Sequence, residues 1–359
     1  MVYAALTETV GQPPRLTEID LVEPGPGQIR IRLTATGVCH TDFSLSAGTV
    51  PHLMPAVLGH EAAGVVTAVG ANVTDRDAGD PVLLIWAPAC GTCRYCTYRQ
   101  PYLCRRSAAA ASVPHAALRD GTPVYPGMGI GAFAEETVVP ARATVPLPAG
   151  IPPAEAAVLG CAALTGFGAV RRTAGVAAGD SVVVIGAGAV GLCAVRAAAL
   201  AGAGPVIVVD ANQDKSERAL AQGATHFLPA GPAGARDVLR LTSGLGADHV
   251  VECVGSARTI RLAWDLTRRG GVTTIVGIGA SADLVRLPAQ ALATSGRTLR
   301  GCVYGSSRPA EDVPELAALV RDGQFRPADL ITHTIGLADL PAAFARLDSR
   351  SGGRSLIVF

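Results

Sequence analysis

Short segments in which apolar and polar residues alternate fill the first part of the chain. Gln28–Thr36, Glu61–Gly70 and Pro81–Trp86 are examples, and Gly and Pro residues separate them. Alternation with a period of two places every second side chain on the same face of a strand, while Gly and Pro favour turns. From Met1 to about Gly150 the pattern therefore predicts an all-β barrel or sandwich.

The pattern changes after Ser181, where fully apolar runs replace the alternating segments. Val182–Ile185 and Pro205–Val209 are such runs, and Ala-rich segments with helical character lie between them. Parallel strands that crossover helices bury on both faces have this pattern. The chain has three further apolar runs, at 249–253, 272–276 and 298–303. At least five strands are therefore predicted, enough for a doubly wound parallel sheet.

The last part of the chain resembles the first again. A helical segment, Pro314–Arg321, is followed by two strand-like segments, Leu330–Thr334 and Ser355–Phe359. The whole pattern is that of an α/β protein with a separate β-rich part.

Length and charge narrow the class of protein. The chain has 359 residues, more than one hydrophobic core normally serves, so two domains are expected. Its formal net charge is +1 without a long run of like charges, which argues against nucleic acid or a membrane as partner and favours a small molecule. No segment approaches about 18 uncharged apolar residues, and Met1–Ala5 has no signal-peptide features. A cytoplasmic location is therefore predicted.

Nine cysteines in a reducing compartment favour metal ligands or buried thiols over disulfides. Four of them lie close together with zinc-ligand spacing, at Cys90, Cys93, Cys96 and Cys104. Polar neighbours such as Arg94 argue against four buried free thiols. Four thiolates complete a tetrahedron and leave no position for substrate, so this zinc is predicted to be structural.

A catalytic metal needs about three protein ligands and an open position. Cys39 lies three residues after the alternating segment Gln28–Thr36 and is itself followed by His40, Thr41 and Asp42. His60 precedes the next alternating segment, and Cys161 stands where the β-rich pattern gives way to the α/β pattern. Cys39, His60 and Cys161 are therefore candidate ligands of a second zinc, although each of the last two alone is typical of a structural residue. The remaining cysteines, in apolar runs, are predicted to be core residues: Cys193, Cys253 and Cys302.

A glycine-rich turn joins the first fully apolar run to an Ala-rich helix. Gly186, Gly188 and Gly191 have the G-x-G-x-x-G spacing, which permits a tight turn and brings pyrophosphate to the helix N-terminus. The next apolar run ends in Asp210, nineteen residues after Gly191. A carboxylate there can bond the ribose hydroxyls and would repel a 2′-phosphate, so NAD is favoured over NADP. The alternative for Asp210 is a solvated turn residue.

With these motifs assembled, the sequence resembles the zinc-dependent alcohol dehydrogenases of the medium-chain dehydrogenase/reductase family along its whole length. The class III-like and mycothiol-dependent formaldehyde dehydrogenases and their alcohol-oxidising relatives resemble it in the Cys-His-Thr-Asp motif at 39–42. The resemblance implies a Rossmann NAD-binding domain, a doubly wound parallel sheet at 163–303, inserted into a GroES-like catalytic domain at 1–162 and 304–359. It also implies a structural zinc lobe at about 88–106 and two zinc ions per chain.

The resemblance also implies residue roles. Thr41 would accept the alcohol proton, Asp42 would support His60 from behind, and Glu61 would lie near the catalytic zinc as an occasional ligand. The residues that would contact the cofactor, as they do in the family, are His40, Thr165, Gly186, Gly188, Val190, Gly191, Asp210, Lys215, Val276 and Arg354. Two departures stand out: many members carry Arg where this chain has His40, and a relay His where it has Phe43 and Ser44.

The implied reaction is hydride transfer between a primary alcohol or aldehyde, aryl or medium-chain, and NAD(H). The Ala-rich segment Ala108–Ala111, in the loop expected to form the mouth of the pocket, offers little charge to an anionic substrate. Three alternatives stay open: a thiol-dependent formaldehyde (S-hydroxymethyl-thiol) dehydrogenase, a biosynthetic carbonyl or double-bond reductase, and a catalytically silent NAD-binding protein. A homodimer or homotetramer is expected, with Leu299–Val303 as a candidate edge for pairing between Rossmann domains.

Overall fold

A computed structural model describes residues 1–348 and 353–359, which form two compact units. The first unit is Met1–Cys161 together with Arg308–Phe359, and the second is Ala162–Ser307. The division into domains at 1–162 with 304–359 and at 163–303 remains a prediction.

The strands in the described part of the chain are β1 Val2–Thr7, β2 Arg15–Leu21, β3 Gln28–Val38, β4 Ala56–Val57, β5 Glu61–Val69, β6 Pro81–Leu84, β7 Ala116–Ala117, β8 Pro123–Pro126, β9 Glu136–Pro140, β10 Thr144–Pro146, β11 Val182–Ile185, β12 Val206–Asp210, β13 His226–Pro229, β14 Ala247–Glu252, β15 Thr267–Ile275, β16 Thr298–Gly301, β17 Ile331–Ile335 and β18 Arg354–Val358.

The α-helices in the same residues are α1 His40–Ser46, α2 Arg94–Thr97, α3 Pro153–Ala157, α4 Ala162–Gly168, α5 Ala189–Leu200, α6 Ser216–Ala221, α7 Pro232–Leu241, α8 Ala257–Leu266, α9 Ala289–Thr294, α10 Pro309–Arg321 and α11 Leu340–Asp348. A π-helical segment, Ala169–Ala174, continues α4, and short 3-10 turns include Ser107–Ser112 and Tyr304–Ser306.

The first unit is β-rich, as the alternating pattern predicted. Strands β1, β2, β7, β8 and β4 close into a barrel, and a second sheet has the order β10-β6-β5-β3-β18-β17, with β9 also paired to β3. Its inward-facing residues are buried apolar side chains such as Ile29, Ile31 and Leu33 on β3, which alternate with more exposed residues. This period of two is what a sheet with one face on a core requires.

Strand register brings three distant segments together at one end of this sheet. β3 and β5 run antiparallel with Gly37 opposite Glu61, and β18 runs antiparallel to β3 with Ser355 opposite Val38. The end of β3, the start of β5 and the start of β18 therefore lie side by side. Cys39 follows the first of these, and His60 precedes the second.

The second unit contains a six-stranded, wholly parallel sheet in the order β13-β12-β11-β14-β15-β16. β11, at the centre of the sheet, is apolar throughout and completely buried. The doubly wound sheet is confirmed. The strand order reverses between β11 and β14, which is where such sheets bind their ligands, outside the carboxyl ends of the strands.

Some helices and strands differ from the sequence prediction in their bounds, and one strand was not predicted. α10 begins at Pro309, before the predicted start at Pro314, because Pro309 occupies the first turn and Glu311 and Asp312 favour a helix N-terminus. β9 begins at Glu136, after a left-handed turn at Gly131 (φ +68°) that interrupts extended backbone. β13 was not predicted, because its segment is only half-buried.

Across residues 1–348 and 353–359, no single helix has the length and apolar composition needed to cross a membrane. One bent pair, Pro153–Gly160 with Ala162–Ala174, passes the same test by length and composition only.

Candidate active site and metal centres

Cys39, His60 and Cys161 come together in the first unit. One potential ligand atom from each lies within 4.8 Å of the others, and all three residues are buried. Cys39 and His60 are brought together by the β3–β5 register, and Cys161 ends the short helical turn Val158–Gly160. Gly160 is required before it, because a Cβ there would lie 2.5 Å from the carbonyl oxygen of Leu84. Two thiols and an imidazole make up the three protein ligands that suit a catalytic zinc.

Asp42 organises this cluster from α1. Its side chain is fully buried and accepts hydrogen bonds from the backbone N–H of Cys39 (3.1 Å) and of Gly59 (3.0 Å). Its Oδ1 is also 2.8 Å from His60 Nδ1. A proton on Nδ1 then points at the carboxylate and leaves Nε2 free for a metal, the arrangement that fixes tautomer and ring orientation at histidine metal sites.

A buried ion pair lies beside the cluster. Arg354 Nη1 is 3.2 Å from Glu61 Oε2 and donates a hydrogen bond of 3.2 Å to the carbonyl oxygen of Val38. Gly37 leaves room for the carboxylate, because a Cβ there would lie 2.3 Å from Glu61 Oε1. The pair places a negative oxygen and a positive guanidinium next to the two thiols.

The groups of the cluster have shifted pKa values. A hydrogen bond from Cys161 lowers the pKa of Cys39 well below its usual value, burial opposes this, and the charge of Arg354 adds to the lowering. Burial disfavours charge on His60, but the charge of Asp42 raises its pKa well above the usual value. Burial raises the pKa of Glu61 to about 7, with Arg354 acting against it. Cys39 is thus the thiol best prepared to bind a cation as thiolate.

The other residues of the Cys39 segment take different environments. Thr41 is half-buried at the start of α1, and His40, the first residue of the helix, is exposed. Phe43 stands where a relay histidine would be expected and packs at ring-centroid distances of 5.6 Å from His40 and 6.0 Å from Phe344. Ser44 is buried. The segment therefore supplies a half-buried hydroxyl at Thr41 and an exposed imidazole at His40.

Sequence reasoning missed Trp86. Its ring lies 6.4 Å from the His60 ring at 86°, an edge-to-face contact, and the residue is half-buried. Its place after β6 was the available signal, because β6 pairs with β5, the strand that follows His60. Gly37 and the Glu61–Arg354 pair were also not foreseen as a unit, since each depends on strand register.

The four-cysteine cluster also has zinc geometry. Zn–S bonds of about 2.3 Å in a tetrahedron separate the sulfurs by about 3.8 Å. The Sγ–Sγ distances are 3.6 Å for Cys93–Cys96, 3.9 Å for Cys93–Cys104 and 4.0 Å for Cys90–Cys96. Backbone N–H groups of Thr92 and Cys93 lower the pKa of Cys90 to about 5. These residues fit a closed, structural zinc site.

The glycine-rich turn in the second unit fits a dinucleotide pyrophosphate. Gly186 has φ +98°, and a Cβ on Gly191 would lie 1.8 Å from the carbonyl oxygen of Gly186, so neither position accepts a side chain. A Cβ on Gly188 would meet no atom within 4 Å, which leaves the backbone before α5 open to a ligand. Val190 is half-buried in the first turn of α5. The helix N-terminus carries the partial positive charge that an anion requires.

Asp210 is buried at the end of β12, so the alternative of a solvated turn residue is wrong. Its carboxylate accepts hydrogen bonds from Ala187 N–H (2.6 Å) and Asn212 N–H (2.8 Å). Lys215 Nζ lies 3.0 Å from Oδ2 and 3.2 Å from Oδ1. The carboxylate thus ties the glycine-rich turn to the next strand, beside a cation that can face a ribose.

The remaining candidates lie in the second unit. Thr165 is buried on α4, and Val276 is half-buried directly after β15. Cys193 and Cys302 are buried, whereas Cys253 is half-buried. Within residues 1–348 and 353–359, the groups of cysteine, histidine and carboxylate able to hold a metal are the two already described.

Comparisons with known proteins agree with this fold and chemistry. Residues 25–149 match the family model "Alcohol dehydrogenase GroES-like domain", and residues 189–322 match "Zinc-binding dehydrogenase". The chain is 34% identical to S-(hydroxymethyl)glutathione dehydrogenase of Paracoccus denitrificans, over 99% of both chains. It is also 34% identical to putative alcohol dehydrogenase D of Mycobacterium tuberculosis, over 99% of both chains.

Among solved structures, benzyl alcohol dehydrogenase from Acinetobacter calcoaceticus is similar, with a TM-score of 0.92 and 28% identity, covering 100% of this chain and 99% of that one. The chain therefore belongs to the zinc-binding alcohol dehydrogenase family of medium-chain dehydrogenases. It is a zinc-dependent alcohol dehydrogenase with NAD as its coenzyme and a small alcohol as its substrate, as the sequence predicted.

Proposed function

We propose that the chain oxidises primary alcohols, aryl or medium-chain, to aldehydes with NAD, at a zinc held by Cys39, His60 and Cys161. The observation that carries the proposal is the convergence of these three buried ligand atoms within 4.8 Å. Glu61, next to His60, is proposed as an occasional further ligand. Cys90, Cys93, Cys96 and Cys104 are proposed to hold a second, structural zinc.

When bound, the catalytic zinc supplies Lewis-acid polarisation, which makes an alcohol acidic near neutral pH and activates an aldehyde carbonyl in reverse. The protein groups provide orientation and proton handling. Asp42 holds His60 in the tautomer with Nε2 free, through the 2.8 Å contact at Nδ1. Thr41 Oγ1 is proposed to accept the alcohol proton. Phe43 cannot pass it on, so export is proposed to go through Ser44, His40 or water.

NAD is preferred over NADP in this proposal. A 2′-phosphate would meet the buried carboxylate of Asp210, and Lys215 is already paired with that carboxylate at 3.0 Å. Gly186, Gly188, Val190 and Gly191 are proposed to hold the pyrophosphate, with His40 and Arg354 as further contacts. Thr165 and Val276 are proposed to flank the nicotinamide.

The substrate class rests on the surroundings of His60. Trp86 presents an aromatic ring edge-on to the imidazole at 6.4 Å, which suits a planar, apolar substrate. The 3-10 turn Ser107–Ser112 contains four alanines and no charge. Similarity to a benzyl alcohol dehydrogenase points the same way. Because the chain is 34% identical to an S-(hydroxymethyl)glutathione dehydrogenase, a thiol-dependent formaldehyde dehydrogenase is the second candidate function.

A substrate screen tests the proposal. Benzyl alcohol, hexan-1-ol and formaldehyde are offered with NAD or NADP, with and without glutathione or mycothiol, and NADH formation is followed. We expect NAD-dependent oxidation of the alcohols without thiol. Formaldehyde oxidation that requires a thiol, with little alcohol oxidation, would establish the second candidate instead.

Two variants test the ligand assignment. Cys39→Ser and His60→Ala should each lower turnover by about 10³-fold or more and reduce bound zinc from about two to about one per chain. NADH should still bind. His333→Ala, at an exposed histidine of the same unit, is the matched control and should retain both zincs and activity. Full turnover in His60→Ala would refute the assignment.

The exposed edge of the parallel sheet bears on the oligomeric state. β16 is an edge strand of the parallel sheet, its four residues are exposed, and Leu299 and Val303 are each 44% exposed. An open edge with apolar side chains favours pairing with another strand. We propose a homodimer or homotetramer in which β16 meets a second copy, and a cytoplasmic location.

A further inference from the structure

Three loops of the second unit meet at the carboxyl edge of its sheet. They follow β11, β14 and β15. A Cβ on Gly186, after β11, would lie 2.8 Å from Val254 Cγ2, in the loop after β14. A Cβ on Gly277, after β15, would lie 2.1 Å from the backbone N of Gly255. The backbones of the last two loops are thus in direct contact, and glycine makes the contact possible.

Glu252 joins these loops. It is the last residue of β14 and fully buried. Its Oε1 accepts hydrogen bonds of 2.8 Å from the backbone N–H of Val254 and of Gly255. Its carbonyl oxygen accepts hydrogen bonds from Val276 N–H (2.8 Å) and Gly277 N–H (3.1 Å). One residue therefore fixes 253–255 with its side chain and 276–277 with its backbone.

The strand order shows which half of a dinucleotide these loops face. Asp210, the candidate partner of the adenosine ribose, ends β12, and the pyrophosphate turn follows β11. In the order β12-β11-β14-β15, the loops after β14 and β15 lie on the other side of the pyrophosphate turn. Because a Rossmann sheet binds one mononucleotide on each half, these loops face the nicotinamide half.

We propose that Glu252 is a positioning residue for the nicotinamide half of NAD. It holds the loops 253–255 and 276–279 together, and these two loops form the surface on which that half binds. The proposal rests on the proposed function, in which NAD is bound across the sheet of the second unit. Glu252 acts through the loop backbone and touches no reacting atom.

The chemistry of the side chain defines an informative variant. Burial raises the pKa of Glu252, against the lowering effect of the Gly255 N–H. Glu252→Gln is neutral, has nearly the same shape, and keeps an oxygen that can accept both backbone N–H groups. Glu252→Ala removes the acceptor of both donors, of which the Gly255 N–H is buried and the Val254 N–H is partly buried.

The experiment compares NADH with ADP-ribose, which lacks the nicotinamide. Dissociation constants are measured by calorimetry for the full-length wild type and the two variants. Glu252→Ala should weaken NADH binding by about tenfold, which corresponds to about 1.4 kcal/mol, and change ADP-ribose binding by less than about twofold. Glu252→Gln should remain within about threefold of wild type for both ligands.

A control on the same strand separates positioning from general stability. Asp248 lies at the opposite end of β14, where its carboxylate accepts hydrogen bonds from Ser181 N–H (2.8 Å) and Arg268 Nε. Asp248→Asn should lower the melting temperature without changing the ratio of the two dissociation constants. Equal loss of NADH and ADP-ribose binding in Glu252→Ala would overturn the proposal, and so would unchanged binding of both.

The test also distinguishes the proposal from the function on which it rests. Wild type that binds NADH no more tightly than ADP-ribose would refute the use of a nicotinamide site at these loops. If Glu252→Ala does not fold, Glu252→Asp keeps a carboxyl and withdraws it by one methylene. It should show the same NADH-selective loss, and an unselective loss would overturn the proposal.

Discussion

At the scale of single residues, His115 makes the first unit sensitive to acid. The residue is buried, and its Nδ1 lies 3.2 Å from the carbonyl oxygen of Val124. A Cβ on Gly131 would lie 2.7 Å from Nε2, so this nitrogen faces a closely packed backbone. Burial lowers the pKa of His115 to about 4, with the Val124 carbonyl acting against it. The imidazole is therefore neutral in the folded protein near pH 7.

The sign of the pH effect follows from this direction. An unfolded histidine has a pKa of about 6.5, so below that value the unfolded chain binds a proton that the folded chain does not. Stability due to His115 is present above pH 6.5 and is lost as pH falls towards 4, by about 2 kcal/mol at pH 5. Urea unfolding at pH 7 and pH 5 measures the loss.

The variant that reports this effect is His115→Gln, which carries no titrating group. It should unfold at lower urea than wild type at pH 7, yet lose about 2 kcal/mol less between pH 7 and pH 5. His333→Gln, at an exposed histidine of the same unit, should behave like wild type. An identical acid loss in wild type and His115→Gln would show that other groups are responsible.

Some residue roles could be predicted from sequence and others could not, for a physical reason. Asp42 lies three residues from Cys39, so its hydrogen bond to the Cys39 N–H is a local property of a helix start. Arg354 is far from Glu61 in sequence, and its 3.2 Å ion pair exists only because β18 pairs with β3 in one register. Register depends on the whole sheet, which single residues do not reveal.

At the scale of elements, the four-cysteine segment should be held together by its metal. α2 has four residues, none of them buried, so little apolar packing stabilises this segment. Cys93→Ser should remove about one zinc per chain and unfold the segment, because a closed zinc site contributes folding energy directly. Arg94, Arg99, Arg105 and Arg106 then become trypsin sites.

Limited trypsin digestion followed by mass spectrometry measures this. Cys93→Ser should be cut between residues 94 and 106 at least about tenfold faster than wild type, and NADH binding should be unchanged. His60→Ala, which is expected to lose the other zinc, is the control and should resist trypsin there. Equal resistance of Cys93→Ser would mean that packing, such as the Arg99–Glu311 ion pair at 3.3 Å, suffices.

Elements were predictable where burial dictated their composition. β11 and the first four residues of β12 are apolar because the parallel sheet buries both faces, and that pattern is visible in the sequence. β4 and β7 have two residues each, too few for a period to show. They are strands because β1, β2 and β8 offer them partners to complete a barrel.

At the scale of the whole molecule, the proposed self-association can be tested at β16. Leu299→Glu places a charge on the exposed edge strand and should shift the protein to a monomer in sedimentation velocity, since like charges would face each other across a symmetric contact. Leu245→Glu, at a 71% exposed leucine of the same unit, is the matched control and should leave the assembly intact. Wild-type sedimentation as a monomer would reject the proposal.

The chain order of the first sheet has a consequence for synthesis. β18 lies between β3 and β17, and its Arg354 forms an ion pair with Glu61. The entire second unit is nevertheless translated before β18. Domains begin to fold while the ribosome is still adding residues. The second unit is contiguous in sequence and can fold during translation, whereas the first sheet, in which β3 and β5 bring Cys39 and His60 together, lacks β18 and its Arg354 until after the second unit has been made. We therefore expect the zinc of Cys39, His60 and Cys161 to be bound late, after β18 has joined the sheet.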